Sequence, residues 1–411
     1  GYGYSNRTLF KDVYSLQAAE RVSIIAEKIE ARRYWRYIPN IDKPIVADDA
    51  LVERIDRTFE ASMRRLVESV GGKRIVVPLS GGYDSRLIVN YLYKLGVKDV
   101  LCYTYGVKNN EESYYSKEIA SRLGYEWHYV EYTAENRTAL INDPSVDDCF
   151  RYMCNGTNRY CNQEHIALQT LRDKGVLNTS NDVIVPGYYF DYLAGSKVSL
   201  KANNLFAASE MCQWENNFFP KGHFLKSIRA VKAVFKENGN VPAHLFYEGW
   251  AWQERLAKFI VNNVRDYEYL GFEWRLPLCD RELFALWLTL PYKLRKGRRY
   301  FYGIFPKIAA AAILDVGFNG RSNQSFAQKV KQCVGEKIPY ILRFTLDRLV
   351  KKKVVYGGGA LASTQLNVRR LADSVAQRFS FCRVRLSDFS NVSPNAAISL
   401  RGLAVEAGIK S

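Results

Sequence analysis

Residues 76–88 read VVPLSGGYDSRLI, an apolar run that stops in Ser80-Gly81-Gly82 and resumes with a helix-like pattern. Two adjacent glycines, the hydroxyls of Ser80 and Ser85 and the carboxylate of Asp84 therefore stand at the tip of a strand that opens a helix. Glycine lets backbone approach a phosphate with no Cβ in the way. The N–H groups of such a loop and of the helix start attract anions. A carboxylate within that cradle would repel phosphate, so Asp84 implies a Mg2+ ion shared with phosphate oxygens. The same residues also make a Gly-Gly turn with Asp and Ser as helix caps, and local chemistry leaves both readings open. The chain has no Gly-x4-Gly-Lys-Ser/Thr loop and no Gly-x-Gly-x2-Gly fingerprint, which argues against kinase-like and dinucleotide-binding alternatives. A second group, Cys149, Cys154, Cys161 and His165, is spaced more loosely than the tight cysteine pairs of zinc sites and reads as reduced thiols near a helix.

The elements around the loop must hold it. Leu51, Ile55, Phe59, Met63 and Leu66 recur at three-to-four spacing, an amphipathic helix within 47–70 that Gly71-Gly72 ends. Strand-like and helix-like segments then alternate: strand 74–79, helix 86–95, strand 100–105, helix 112–123, strand 127–131, helix 164–174, strand 183–186. That order implies crossover units and a parallel sheet covered by helices on both faces. Pro78 falls inside the first strand, where it cannot donate a ladder hydrogen bond, and is expected at a bulge near the strand's end. From about residue 203 the pattern is mostly helical, with periodicity near 225–236, 250–264, 281–290, 300–313 and 337–350. YGGGA at 356–360 breaks it, and a Ser/Asn-rich tail follows 385.

Composition narrows the class. A chain of 411 residues with 47% hydrophobic and 25% charged residues is an ordinary globular protein, long enough for two domains. Its longest apolar run, 308–314, is far short of the roughly 18 residues a membrane helix needs, so membrane insertion is not expected. The N-terminus lacks the pattern of a signal peptide, and a cytoplasmic location is expected. A net charge of +17 fits a polyanionic partner or a solvated basic surface. Basic knots occur at 293–299 and 351–353.

SGGYDS resembles the SGGxDS pyrophosphate loop of the N-type ATP pyrophosphatases, a group that includes asparagine synthetases, β-lactam synthetases, NAD synthetases and tRNA-modifying enzymes. Three further stretches narrow the resemblance to asparagine synthetases. EARRYWRY at 30–37, preceded by TLFKDVYSL at 8–16, is similar to the exit of that family's glutaminase domain. DVIVPGYYFDYLAGS at 182–196 is similar to its second phosphate segment, and EWRLPLCDREL at 273–283, followed by Leu290-Pro291, to its ExRxPFLD stretch. The branch linked to bacterial surface-polysaccharide genes looks nearest.

The resemblance implies an α/β fold of the adenine nucleotide alpha hydrolase type plus a mostly helical C-terminal part. It divides the chain into a glutaminase exit segment (1–44), an ATP-binding core (45–202), a helical part completing the site (203–385) and a tail (386–411). It implies ATP and Mg2+ as cofactors, with Asp84 and Asp191 on the metal. Ser80, Gly81, Gly82 and Ser85 would cradle pyrophosphate, and Leu79, Tyr105 and Gly187 would line the adenine side. Tyr188 and Tyr192 stand where the family carries glutamates. β-Lactam synthetases also carry tyrosine at the first of these places, paired with a glutamate, and Glu254 is the candidate partner here. A cation should stabilise pyrophosphate departure shortly after Leu290-Pro291, and Arg298 and Arg299 are the candidates. Glu273 and Arg275 are expected to form a bracing ion pair.

The implied activity is adenylation of a carboxylate, aspartate or a uronic-acid sugar, followed by transfer of ammonia or an amine. The ammonia would come from a glutaminase domain of the parent chain or from a separate glutaminase. The rivals are a tRNA-modifying enzyme with the same loop and a degenerate nucleotide-binding partner. No attached RNA-binding module is visible, so nucleic acid is not the expected partner.

Overall fold

The computed structural model describes residues 5–318, apart from 9, 27, 38, 40–44, 155–162, 199–211 and 213–241. The expected helices near 225–236 and 337–350, the 351–353 knot, the glycine run, the tail and Cys161 lie outside the described residues.

A two-stranded antiparallel hairpin, β1 (Glu20–Ile25) and β2 (Lys28–Arg33), precedes the main body. Helix α1 (Asp49–Ser69) follows. Asp48 caps it by accepting from the Leu51 N–H, and Leu51, Ile55, Phe59, Met63 and Leu66 are all buried on one face.

The central sheet is parallel throughout. Its strands are β3 (Arg74–Pro78), β4 (Val100–Gly106), β5 (Glu126–Glu131), β6 (Asp182–Ile184) and β7 (Glu273–Trp274), in the spatial order β5-β4-β3-β6-β7. Helices α2 (Asp84–Lys94), α3 (Glu111–Leu123), α4 (Ala134–Asn142), α5 (Ser145–Cys154) and α6 (His165–Asp173) connect them. Successive strand residues face opposite sides. Ile75 and Val77 join the core that contains α1 and α2, while Val76 packs with Leu101, Ile184 and the α6 residues Leu168 and Leu171 on the other side. Both faces are therefore covered, as the alternation of elements required.

Pro78 is the last residue of β3, and the next N–H, of Leu79, donates to Tyr103 O at 2.8 Å. At the opposite end Arg74 grips the buried Asp182 with two parallel hydrogen bonds, 2.7 and 2.8 Å, fixing the register of β3 against β6. Chain order reverses between these two strands: β4 and β5 lie to one side of β3, β6 and β7 to the other. Such a switch point opens a crevice beyond the strands' carboxyl ends.

The helical part returns to that crevice. Helix Ala243–Trp250 runs on into wider π-type turns at Ala251–Ile260, and Arg281–Leu288 and Arg299–Ile308 pack on the α1 side.

Candidate functional site

Asp84 opens α2 directly beyond β3, and Asp191 follows β6 across the switch point. The Asp84 side chain does not cap its own helix. Its Oδ2 accepts the backbone N–H of Asp191 at 2.8 Å, so it ties the two crossover loops together. Asp191 likewise makes no side-chain cap of the turn that follows it. The helix-cap reading therefore accounts for neither carboxylate.

Both line one cavity of about 330 Å³, with Gly81, Gly82, Tyr83, Arg298, Phe301, Tyr302 and Phe318. Arg298 Nη1 stands 4.0 Å from Asp191 Oδ2. Burial, then the charge of Asp191, pushes the Asp84 carboxyl well above the usual carboxylate range, although backbone N–H groups and Arg298 oppose the shift. Two hard carboxylate donors on separate loops, with repulsion left between them, suit a magnesium-sized cation.

The backbone around these groups is strained. Tyr189 adopts φ +90 two residues before Asp191, and Arg298 itself adopts φ +62 directly after Gly297 at φ +61. Left-handed conformations in side-chain-bearing residues concentrate at functional sites. What holds Arg298 there lies next to it. Arg295, buried, donates to the buried Glu248, which also accepts from Tyr37 Oη at 2.8 Å. Gly195 presses on the same turn so closely that a Cβ would stand 1.9 Å from the Arg295 carbonyl oxygen. The stretch after Asp191 and the stretch before Arg298 are thus packed backbone to backbone.

The remaining expected residues fall into separate places. Ser85 is buried and turned inward: its Oγ accepts the Ser80 N–H at 3.0 Å, while Ser80 Oγ accepts the Gly82 N–H at 3.2 Å. The two hydroxyls shape the loop. Gly187 lies against the start of α2, where a Cβ would come within 2.5 Å of the Ser85 backbone nitrogen. Leu79 is in the core, and Tyr105 stacks on Tyr132 with ring centroids 5.1 Å apart. Arg299 is exposed and outside the cavity lining, so of the two arginines only Arg298 reaches the carboxylates.

One expectation is corrected. Glu254 is not the partner of Tyr188. It is fully buried, held by Lys258, by Gln253 at 2.8 Å and by the Ser5 N–H at 3.2 Å. Tyr188 instead donates to Glu164 Oε1 at 3.0 Å, and Tyr103 and Tyr267 donate to Glu164 Oε2 at 2.7 and 2.8 Å. Burial raises the Glu164 carboxyl, against the lowering effect of these three hydroxyls. Nothing local in the sequence marks Glu164, because its partners come from β4, the β6 loop and the helical part. Glu273 and Arg275 do pair, at 3.1 Å, but Glu273 is exposed and shared with Lys73. The pair trims the edge strand and does not line the cavity.

Residues 54–157 match a family model described as asparagine synthase. That span contains the Asp84 loop but neither Asp191 nor Arg298. Among solved structures, the NH3-dependent NAD synthetase from Campylobacter jejuni is similar at 15% identity, covering 61% of this chain and 96% of that one, with a TM-score of 0.25. The NMN synthetase from Francisella tularensis is similar at 13% identity, covering 60% and 94%, with a TM-score of 0.23. No curated protein matches.

Proposed function

We propose, from the premise that the chain carries an asparagine synthase-family segment at residues 54–157, that it is an ATP-dependent, AMP-forming carbon–nitrogen ligase. A substrate carboxylate oxygen attacks the α-phosphorus of ATP, the bond to the bridging oxygen breaks, and pyrophosphate leaves. The resulting acyl-adenylate is then attacked by ammonia or an amine, the new carbon–nitrogen bond forms, and AMP departs.

The observation that carries this reading is the meeting of Asp84, Asp191 and Arg298 on one cavity at the switch point of a parallel sheet. Asp84 and Asp191 would hold Mg2+, which when bound offsets charge on the departing pyrophosphate. Arg298 offers a planar cation to the same developing charge. Gly81 and Gly82 leave the cavity wall open to phosphate, with Ser80 and Ser85 keeping the loop in shape. In this proposal Leu79, Tyr105 and Gly187 belong to the adenine side, and Tyr188, oriented by Glu164, faces the acceptor chemistry. The segments 1–44, 45–202, 203–385 and 386–411 keep the division expected above. A cytoplasmic setting and a glutaminase as the ammonia source are part of the proposal.

The test is to incubate the protein with Mg2+, ATP, ammonium and a panel of carboxylates that includes aspartate and uronic-acid sugars. AMP and pyrophosphate released in equal amounts with one acid are expected. Absence of AMP with every acid, or release of ADP instead, contradicts the proposal.

A further inference from the structure

Cys149 on α5, His165 at the start of α6 and Asp266 on the helix Arg265–Tyr269 converge in the interior, all three buried. Cys149 Sγ lies 3.6 Å from Asp266 Oδ1 and 3.9 Å from His165 Nδ1, and His165 Nδ1 lies 2.6 Å from Asp266 Oδ1. Among the described residues the other carboxylate oxygen, Asp266 Oδ2, is buried with no hydrogen-bond partner. Leaving such an oxygen unmatched is costly. Met153 and Cys154 pack beside Cys149, and the Tyr269 ring lies against them, making the surroundings apolar.

We propose that Cys149, His165 and Asp266 bind a divalent transition-metal ion, with zinc the best match to one thiolate, one imidazole and one carboxylate. Ligands of a tetrahedral zinc ion stand about 3.3–3.6 Å apart. The two separations to sulfur are already close to that. The third is a hydrogen bond, and the ion takes the place of its shared proton as Asp266 turns Oδ2 inward. Sequence spacing alone pointed away from a metal, because the third donor lies 101 positions beyond His165. The site is separate from the Asp84 cavity, whose lining includes none of these residues, and its softer donors favour a different ion. By joining three helices the ion adds its binding free energy to folding.

The full chain, stripped with a chelator, is titrated with Co2+. One equivalent is expected to bind with a thiolate-to-cobalt charge-transfer band that Zn2+ bleaches and excess Mg2+ leaves intact. Cys149→Ser abolishes the band, and Asp266→Asn weakens Co2+ binding by at least tenfold. Should Cys149→Ser fail to fold, as judged by circular dichroism, His165→Gln, which keeps the thiolate, is measured instead and is expected to weaken Co2+ binding by at least tenfold; unchanged affinity there also overturns the site. No band in the wild type, a band that survives Cys149→Ser, or unchanged affinity in Asp266→Asn overturns the site. The outcome is independent of whether the chain releases pyrophosphate from ATP.

Discussion

Glu248 and Asp84 each lie within reach of a nearby arginine's charge, yet the two neighbourhoods are built to opposite ends. Around Glu248 the charges are matched: Arg295 and Tyr37 donate to it, and the Arg295 Nε–H goes on to Leu290 O at 3.1 Å. Around Asp84 they are not. A second carboxylate faces it, the backbone is left-handed at Tyr189 near Asp191 and at Arg298, and Arg298 reaches only as far as Asp191, at 4.0 Å. A satisfied buried pair holds geometry. A half-open acidic pair with charge left over suits the cation proposed for it, and that contrast distinguishes the scaffold from the proposed site.

The sharpest way to break the contrast is at the matched end. Glu248→Ala leaves a buried guanidinium unpaired and is expected to cost about 3–5 kcal/mol of stability, read by urea unfolding. Replacing Glu248 and Arg295 together with apolar residues of similar volume recovers most of that loss. A double variant as unstable as the single one would show that the cluster does more than balance charge.

At the unmatched end the effect moves from stability to turnover. Asp84→Asn or Asp191→Asn is expected to lower ATP-dependent pyrophosphate release by about 10²–10³-fold, with far-UV circular dichroism unchanged. Arg298→Ala should lower kcat by roughly tenfold or more, with partial recovery in Arg298→Lys. Arg299→Ala, an exposed neighbour, should leave the rate within about twofold. Equal losses at 298 and 299 would erase the distinction the cavity draws between them.

The smallest effect is on stability against pH. The folded-state pKa of Asp84 is raised, so the folded protein holds a proton there that the unfolded chain has released. Stability is therefore lost as pH rises from the ordinary carboxylate range through the raised value. Without Mg2+, Asp84→Asn should melt at a higher temperature than the wild type at neutral pH, and the difference should close toward pH 4. A variant that melts lower at neutral pH would mean that the carboxylate is already compensated.

Much of the site was legible in the sequence, for identifiable reasons. Helix α1 shows an apolar stripe on one face, and β3, β4 and β5 alternate with helices that stop at glycines, so the parallel core could be read directly. Asp84 and Asp191 stood out because a glycine loop and a resembling second segment marked them. Other features had no local signal. The hairpin β1–β2 is mostly exposed on both faces and shows no two-residue alternation. Strand β7 has two residues, too few for a period. Arg295 was one cation among several in the 293–299 knot, but it is buried on Glu248, a carboxylate in the mostly apolar helix Ala243–Trp250. Glu164 becomes the partner of Tyr188 only through tertiary packing, which is why Glu254 appeared to fit.

The most direct measurement is calorimetric titration of ATP into the wild type, Asp84→Asn and Asp191→Asn, each with and without Mg2+. Mg2+ should tighten binding in the wild type and have little effect in either variant. Equal, Mg2+-dependent affinity in all three proteins would contradict a cation shared by these two carboxylates.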